Sequence, residues 1–439
     1  MARTKLATYL YGVAILMLPM SAALKQMLQL TTTIWIDPSM ILTAAIFFLL
    51  GLPVRDKYAL SIACFALLSA FLGSFFLPPS TAREHSDFYA FYAEPIRLWL
   101  DIIWYLVSIE VLRKRREFVV RWLLFSVIIQ FAIAAYLYAA LFELVPVPDV
   151  IAIYLTLYKG RQGVLWGDSL VYRMAGTFIE SPPFGLFMFC SFSIFALSWT
   201  FESVSSLPRK KSWLILGMAV SFVGAVLSLS DEVLLAVVIF GASWYLVSRT
   251  RILGAHRHGK SIEGAVVVAL VLGIGFYTAQ RITAKLHEAM AVAPVNNDVI
   301  GEPGAERMFH VRYGLARFGE VPLAFLTGIG PGRYGDYAAR TGIFPPTVQI
   351  GVTPVFWLVE YGCIGLAMIV SWLWNIGKRS RQFYGPIAIA ALTALLATNF
   401  GQGGWMFETW FLALAFLYTS GDAFRLRAAN SGTANMTSS

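Results

Sequence analysis

The sequence predicts an all-α, polytopic membrane protein, and three observations lead there. Of its 439 residues 58% are hydrophobic and only 13% charged, with mean hydropathy +0.67, a balance foreign to soluble domains. Apolar runs of about 17–23 residues recur, each long enough to cross roughly 30 Å of hydrocarbon as a helix. Basic residues cluster in short polar segments between alternate runs, as the orientation rule for membrane helices requires.

Taken in order, the runs give about twelve spans, at 7–24, 39–54, 58–77, 91–112, 119–141, 184–201, 212–230, 232–248, 261–280, 352–374, 384–400 and 403–419. The first run lacks a small-residue cleavage site and is expected to remain as helix one. Cys64, Cys190 and Cys363 all fall within spans, so neither a disulfide framework nor a CxxC metal site is expected. We expect one integral-membrane domain over 1–427. It includes outer segments 142–183 and 281–351, the second a long, partly helical loop between helices nine and ten. The tail 428–439 is small and polar and is expected to be a disordered cytoplasmic extension.

With the N-terminus inside, twenty-one of the thirty-four basic residues fall in short inner loops or tails. Arg113, Lys114, Arg115, Arg116 and Arg121 form the densest group. The formal charge of +9 is therefore mostly a topology signal, and nucleic acid is not an expected partner. Both termini are placed in the cytoplasm. The other thirteen basic residues lie on the outer side, against the rule, and most belong to the two outer segments. Ordinary solvated loop charge explains any one of them, but two long segments together favour an anion-binding face.

Several residues are candidates for chemistry. In span four Glu94, Arg97 and Asp101 share one helical face; they are either functional charges at membrane depth or an Arg97–Asp101 pair that locks the bundle. Glu180 precedes Pro182 and Pro183 at the start of span six, where it is a base or a favourable charge at a helix N-terminus. Arg307, His310, Gly314 and Arg317 fall on one face of a predicted helix, beside an apolar stripe of Met308, Val311, Leu315 and Phe318. Such a helix is expected to lie along the interface with its basic side free to meet phosphates. Gly328, Gly330 and Gly332 follow; no strand precedes them and Pro331 lacks an amide donor, so this is a loop rather than a nucleotide fingerprint. The sequence has no HExxH, no GxxxxGK[ST], no His/Cys ligand spacing and no D-x-D pair, so any catalysis is expected to need no metal or other cofactor.

These residues together resemble the O-antigen ligase and polymerase family of bacterial surface-polysaccharide assembly. Arg173, Gly176, Phe178 and Pro182 match the family's Arg-x-x-Gly-x-Phe with its following Pro-Asn, although Pro183 replaces the Asn. Gly328, Gly330 and Gly332 match a Gly-x-Gly-x-Gly that closes the long outer loop, and Glu360, Gly362 and Gly365 match the Glu-x-Gly-x-x-Gly of the next span. Arg317 and Gly328 have the Arg-x10-Gly spacing of polymerases, and the twelve-span layout fits as well. The resemblance covers about residues 160–370. Two features are missing. The ligases' His-Asn aligns with Gly351 and Val352, and a Ser-Arg-Gly aligns with Ser230, Asp231 and Glu232. Both losses favour a polymerase over a ligase that attaches polymer to lipid A core.

The resemblance implies a multi-pass glycosyltransferase of the bacterial inner membrane, acting at the periplasmic face. Its substrates would be oligosaccharide repeat units on undecaprenyl diphosphate, polymerised into exopolysaccharide, capsule or O-antigen. Membrane lipids and proteins of chain-length control and export are the implied partners. Arginines would bind the diphosphate; the candidates are Arg173, Arg307, Arg312 and Arg317, then Arg333 and Arg340, with His310 on the same face. A carboxylate would take the acceptor's proton, with Glu180 and Asp336 ahead of Asp231. A lipid-linked glycan transporter or flippase remains the alternative from another class, and would call for charges deep in several spans.

Overall fold

The computed structural model describes residues 2–20, 38–50, 56–76, 87–148, 163–166, 169–178, 181–204, 211–252, 309–316, 323–335, 350, 353–384, 386–398 and 408–419. Span nine, the tail, Glu180, Asp336, Arg307, Arg317 and Arg340 all lie outside the described residues.

The described chain is predominantly helical. Its helices are α1 (Ala2–Met17), α2 (Pro38–Leu50), α3 (Lys57–Phe76), α4 (Asp87–Leu141), α5 (Ser181–Val204), α6 (Lys211–Leu227) and α7 (Asp231–Ile252). Then come α8 (309–316), the single turn α9 (Ala324–Thr327), α10 (Thr353–Tyr384), α11 (Pro386–Ala397) and α12 (408–419). The stretches Pro95–Leu141, Ser181–Thr200 and Thr353–Gln382 are long and apolar enough to cross a membrane, and five shorter helices are also apolar. That suits a membrane-associated helical protein; a count of twelve crossings goes beyond the described helices.

Two features depart from the sequence expectation, and one, the junction of spans four and five, refines it. The outer segment 142–183 contains a small antiparallel hairpin, β1 (Gly163–Trp166) with β2 (Ser169–Tyr172), paired Gly163 to Tyr172 and Trp166 to Ser169. The fold is thus not purely α. Two short apolar runs around Gly167-Asp168 carry the hairpin signal that a helix-period search overlooks.

Second, spans four and five run together as one 55-residue stretch, α4, interrupted only at Arg115 (φ −143°, ψ 43°). At 1.5 Å per residue an unbroken helix of that length would measure about 80 Å, far more than one crossing. It is two helices meeting at Arg115. On either side of that break Lys114 pairs with Glu110 and Arg121 with Glu117, both at 2.6 Å and spaced i, i+4.

Third, span ten is a broken helix. Within α10, Gly362 adopts φ 66° and ψ −174°, a conformation essentially reserved for glycine.

Helices α5 and α6 pack closely because Gly217 and Gly224 leave room for the Phe195 ring and the Met188 side chain. Around the candidate site the frame is α3 against α10. Asp56 caps α3 by accepting the amides of Tyr58 (3.1 Å) and Ala59 (3.4 Å) on Oδ1. Its Oδ2 accepts the Tyr105 hydroxyl of α4 at 2.8 Å and the Trp372 indole of α10 at 3.1 Å. At the other end of α3 the Ser69 hydroxyl donates to the carbonyls of Thr327 (2.6 Å) and Glu360 (3.2 Å). Pairing Asp56 with Trp372 and Ser69 with Glu360 makes the two helices antiparallel, with links about 20 Å apart along the axis.

Candidate functional site

The glycine loop 328–332 and the break in α10 form one interlocked unit. An interrupted helix leaves carbonyls without intrahelical donors, and such groups survive away from water only if other protein groups satisfy them. Here the loop supplies the donors. The Ile329 amide donates to the Val359 carbonyl at 2.9 Å, and the Gly330 amide to the Glu360 carbonyl at 3.1 Å.

The glycines permit this approach. A Cβ on Gly328 (φ 78°, ψ 178°) would collide with the Glu360 carbonyl, and one on Gly362 would lie 2.5 Å from the Gly328 nitrogen. Gly73 of α3 meets the Ile329 carbonyl equally closely. Backbone touches backbone on both sides of the loop, and side chains there would push the three segments apart.

Glu360 is 1% exposed. Its Oε2 accepts the Gly332 amide at 2.8 Å and its Oε1 the Tyr334 amide at 3.4 Å. The carboxylate therefore holds the backbone on either side of Arg333, and Arg333 is itself 1% exposed. A buried carboxylate needs such donors, since an ion taken from water without partners costs several kcal/mol.

Tyr334 links this loop to α8. Its hydroxyl donates to the His310 carbonyl at 3.1 Å and lies 2.7 Å from Nδ1 of the same histidine. The Tyr313 ring meets Tyr334 edge-on, with centroids 6.3 Å apart. Burial, with Tyr313 and Glu360 nearby, pushes the Tyr334 hydroxyl well above the ordinary tyrosine range.

The face of α8 expected to be free is instead the packed one. His310 is 3% exposed, and Gly314 is buried because a Cβ there would press on Ile350 (2.8 Å) and the Tyr334 ring (3.3 Å). Packing through the side-chain-free Gly314 turns Arg312 to the exposed side. Of the proposed anion-binding residues, His310 and Arg333 thus point into the protein while Arg312 faces out.

A second corner holds Arg173 and Asp231. The Met174 amide donates to the Leu227 carbonyl at 3.1 Å, so the Arg173 segment lies beside the turn that leads into Asp231. Gly176 (φ 56°) lets the chain turn against Phe184, and Phe178 packs on Phe187 with centroids 5.7 Å apart. The Thr177 hydroxyl reaches Gln130 of α4 (2.8 Å) and the Pro19 carbonyl after α1 (2.5 Å). Arg173 and Asp231 are both partly exposed. Asp231 opens α7, where the Ser230 hydroxyl donates to Glu232 at 2.7 Å.

In the sequence Glu360 and Gly362 stand only as matched positions, and Tyr334 and Ser69 do not stand out. A glutamate two residues before a glycine in an apolar helix was the available signal, since buried charge and a helix breaker together mark an unusual site. Nothing local marks Ser69, whose partners lie 258 and 291 residues away. Among the described residues no cluster of three or more His, Cys, Asp or Glu could hold a metal ion. No protein-family profile matches the chain, and no curated protein matches it.

Proposed function

We propose that the protein is an inner-membrane glycosyltransferase that polymerises oligosaccharide repeat units carried on undecaprenyl diphosphate. The observation that carries this reading is the glycine-loop unit: Gly328, Gly330, Glu360 and Gly362, the residues of the family resemblance, interlock with one another. Arg173, Gly176 and Phe178, the other matched residues, also share one docked segment. Main-chain or hydroxyl links join Met174 to Leu227, Thr177 to Pro19 and Ser69 to Thr327. Each joins segments that the basic-residue pattern assigns to the outer side, which supports a twelve-span layout with a periplasmic site.

The transfer balances simply. An acceptor hydroxyl oxygen attacks the anomeric carbon of the donor sugar while the bond to the diphosphate oxygen breaks. The diphosphate leaves with the electron pair, and the hydroxyl proton goes to a carboxylate. Arg312 and Arg173 are the described arginines with access to such a leaving group, and fixed guanidinium groups stabilise the charge it develops. Asp231 is the described base candidate; Glu180 and Asp336 remain the others.

The break in α10 also favours a second reading, a lipid-linked glycan transporter, because interrupted helices line many transport sites. A deletion strain separates the two when complemented with wild type, Arg173→Ala or Arg312→Ala and analysed for polysaccharide length. A polymerase predicts single lipid-linked units at the periplasmic face and loss of long chains, restored only by wild type. Units that accumulate on the cytoplasmic face would overturn it in favour of transport.

A further inference from the structure

A glycine-rich loop that follows a basic helix invites assignment as a phosphate cradle. In this structure its amides are already engaged. Those of Ile329 and Gly330 go to main-chain carbonyls of α10, and those of Gly332 and Tyr334 to the Glu360 carboxylate. Concavities of successive amides bind anions, and the anion in this one belongs to the protein.

Following the contacts outward shows what that anion holds. Glu360 fixes the backbone of Tyr334, and Tyr334 touches His310 at both its carbonyl and Nδ1. His310 and Gly314 seat α8, and their face being packed leaves Arg312 on the exposed side. We propose that Glu360 is a positioning residue that, through Tyr334 and His310, sets the orientation of α8 and presents Arg312 to a diphosphate. The proposal rests on the diphosphate reading above. Glu360 touches no substrate, and the glycine loop is a latch between α10 and α8.

The test uses the full chain in nanodiscs of phosphatidylethanolamine and phosphatidylglycerol, with undecaprenyl diphosphate as the probe. Affinity is measured for wild type, Glu360→Gln, Tyr334→Phe, Arg312→Ala and the double variant Glu360→Gln/Arg312→Ala. Glutamine keeps the shape and one acceptor, so the variant is expected to fold, and a thermal melt checks that it does. Expected are about tenfold weaker binding for Glu360→Gln, the value of one lost charge-assisted hydrogen bond, and no further loss when it is added to Arg312→Ala. Deuterium exchange across residues 328–335 should rise in Glu360→Gln.

Additive losses in the double variant would overturn the positioning role, because two independent defects add. Unchanged affinity in Glu360→Gln would do the same. Tighter binding there would mean that the loop amides take the substrate phosphate once the carboxylate is neutralised, and the latch assignment would fall. A wild-type protein that does not bind the probe defeats the diphosphate reading itself, and loop exchange in Glu360→Gln then reports separately on the latch.

Discussion

Two buried carboxylates sit toward opposite ends of the α3–α10 pair, and they are satisfied in different ways. Asp56 draws on helices alone: two amides of its own α3, the Tyr105 hydroxyl of α4 and the Trp372 indole of α10. Glu360 draws on a loop, taking the amides on either side of Arg333. Donors rooted in three helices make Asp56 a lock within the frame. Donors in a loop make Glu360 a mount, because the segment it holds goes on to touch His310 of α8, the helix that carries the exposed Arg312. A buried carboxylate is therefore a candidate for function here when its donors come from a segment that leads to an accessible charge.

The comparison can be broken most severely at the glycines. Gly328→Ala or Gly362→Ala forces a side chain into backbone and into a conformation that L-residues avoid. A loss of more than about 4 kcal/mol is expected, at the extreme of single substitutions. Little monodisperse protein should appear on size-exclusion chromatography, and normal yield with an unchanged melting temperature would refute the interlock.

Asp56→Ala comes next. It removes the cap of α3 and leaves the Tyr105 hydroxyl and Trp372 indole without their acceptor, for a cost of about 2–5 kcal/mol. The melting temperature should fall, whereas the protein that remains folded should bind undecaprenyl diphosphate as wild type does. A selective loss of binding would erase the distinction between lock and mount.

Ser69→Ala deletes one hydroxyl donor between α3 and the loop, worth about 1 kcal/mol. A small fall in melting temperature is expected, together with faster deuterium exchange confined to residues near 327–330.

The smallest effect is in pH. Tyr334 keeps its proton more firmly in the folded chain than unfolded, so its stabilising contribution is full below about pH 10 and is lost as pH rises beyond it. In Tyr334→Phe the alkaline fall in melting temperature should be shallower than in wild type; identical curves would remove Tyr334 as the cause.

Much of the frame was legible in the chain. The start of α5 at Ser181-Pro182-Pro183 suits the tolerance of proline in a first helical turn. Asp231 and Glu232 in the first turn of α7 suit the helix dipole, and both are effects of a few neighbouring residues. Long apolar runs gave α3, α6 and most of α10 for a similar reason. The break at Gly362 was not legible, because one glycine in an apolar run is ordinary and becomes a break only when another backbone approaches it. The inward turn of His310 escaped for the same reason, since helical spacing groups residues on a face without saying what the face meets.

By itself the sequence determined that helices form, roughly where they begin, and that most outer-side basic residues fall in two segments, because hydropathy, helix-start chemistry and charge are properties of neighbouring residues. Tertiary structure decided which arginine is exposed, which carboxylate is a lock and which a mount, and where the glycine loop docks. Those outcomes depend on contacts between residues as distant as Ser69 and Glu360, and only folding brings such residues together.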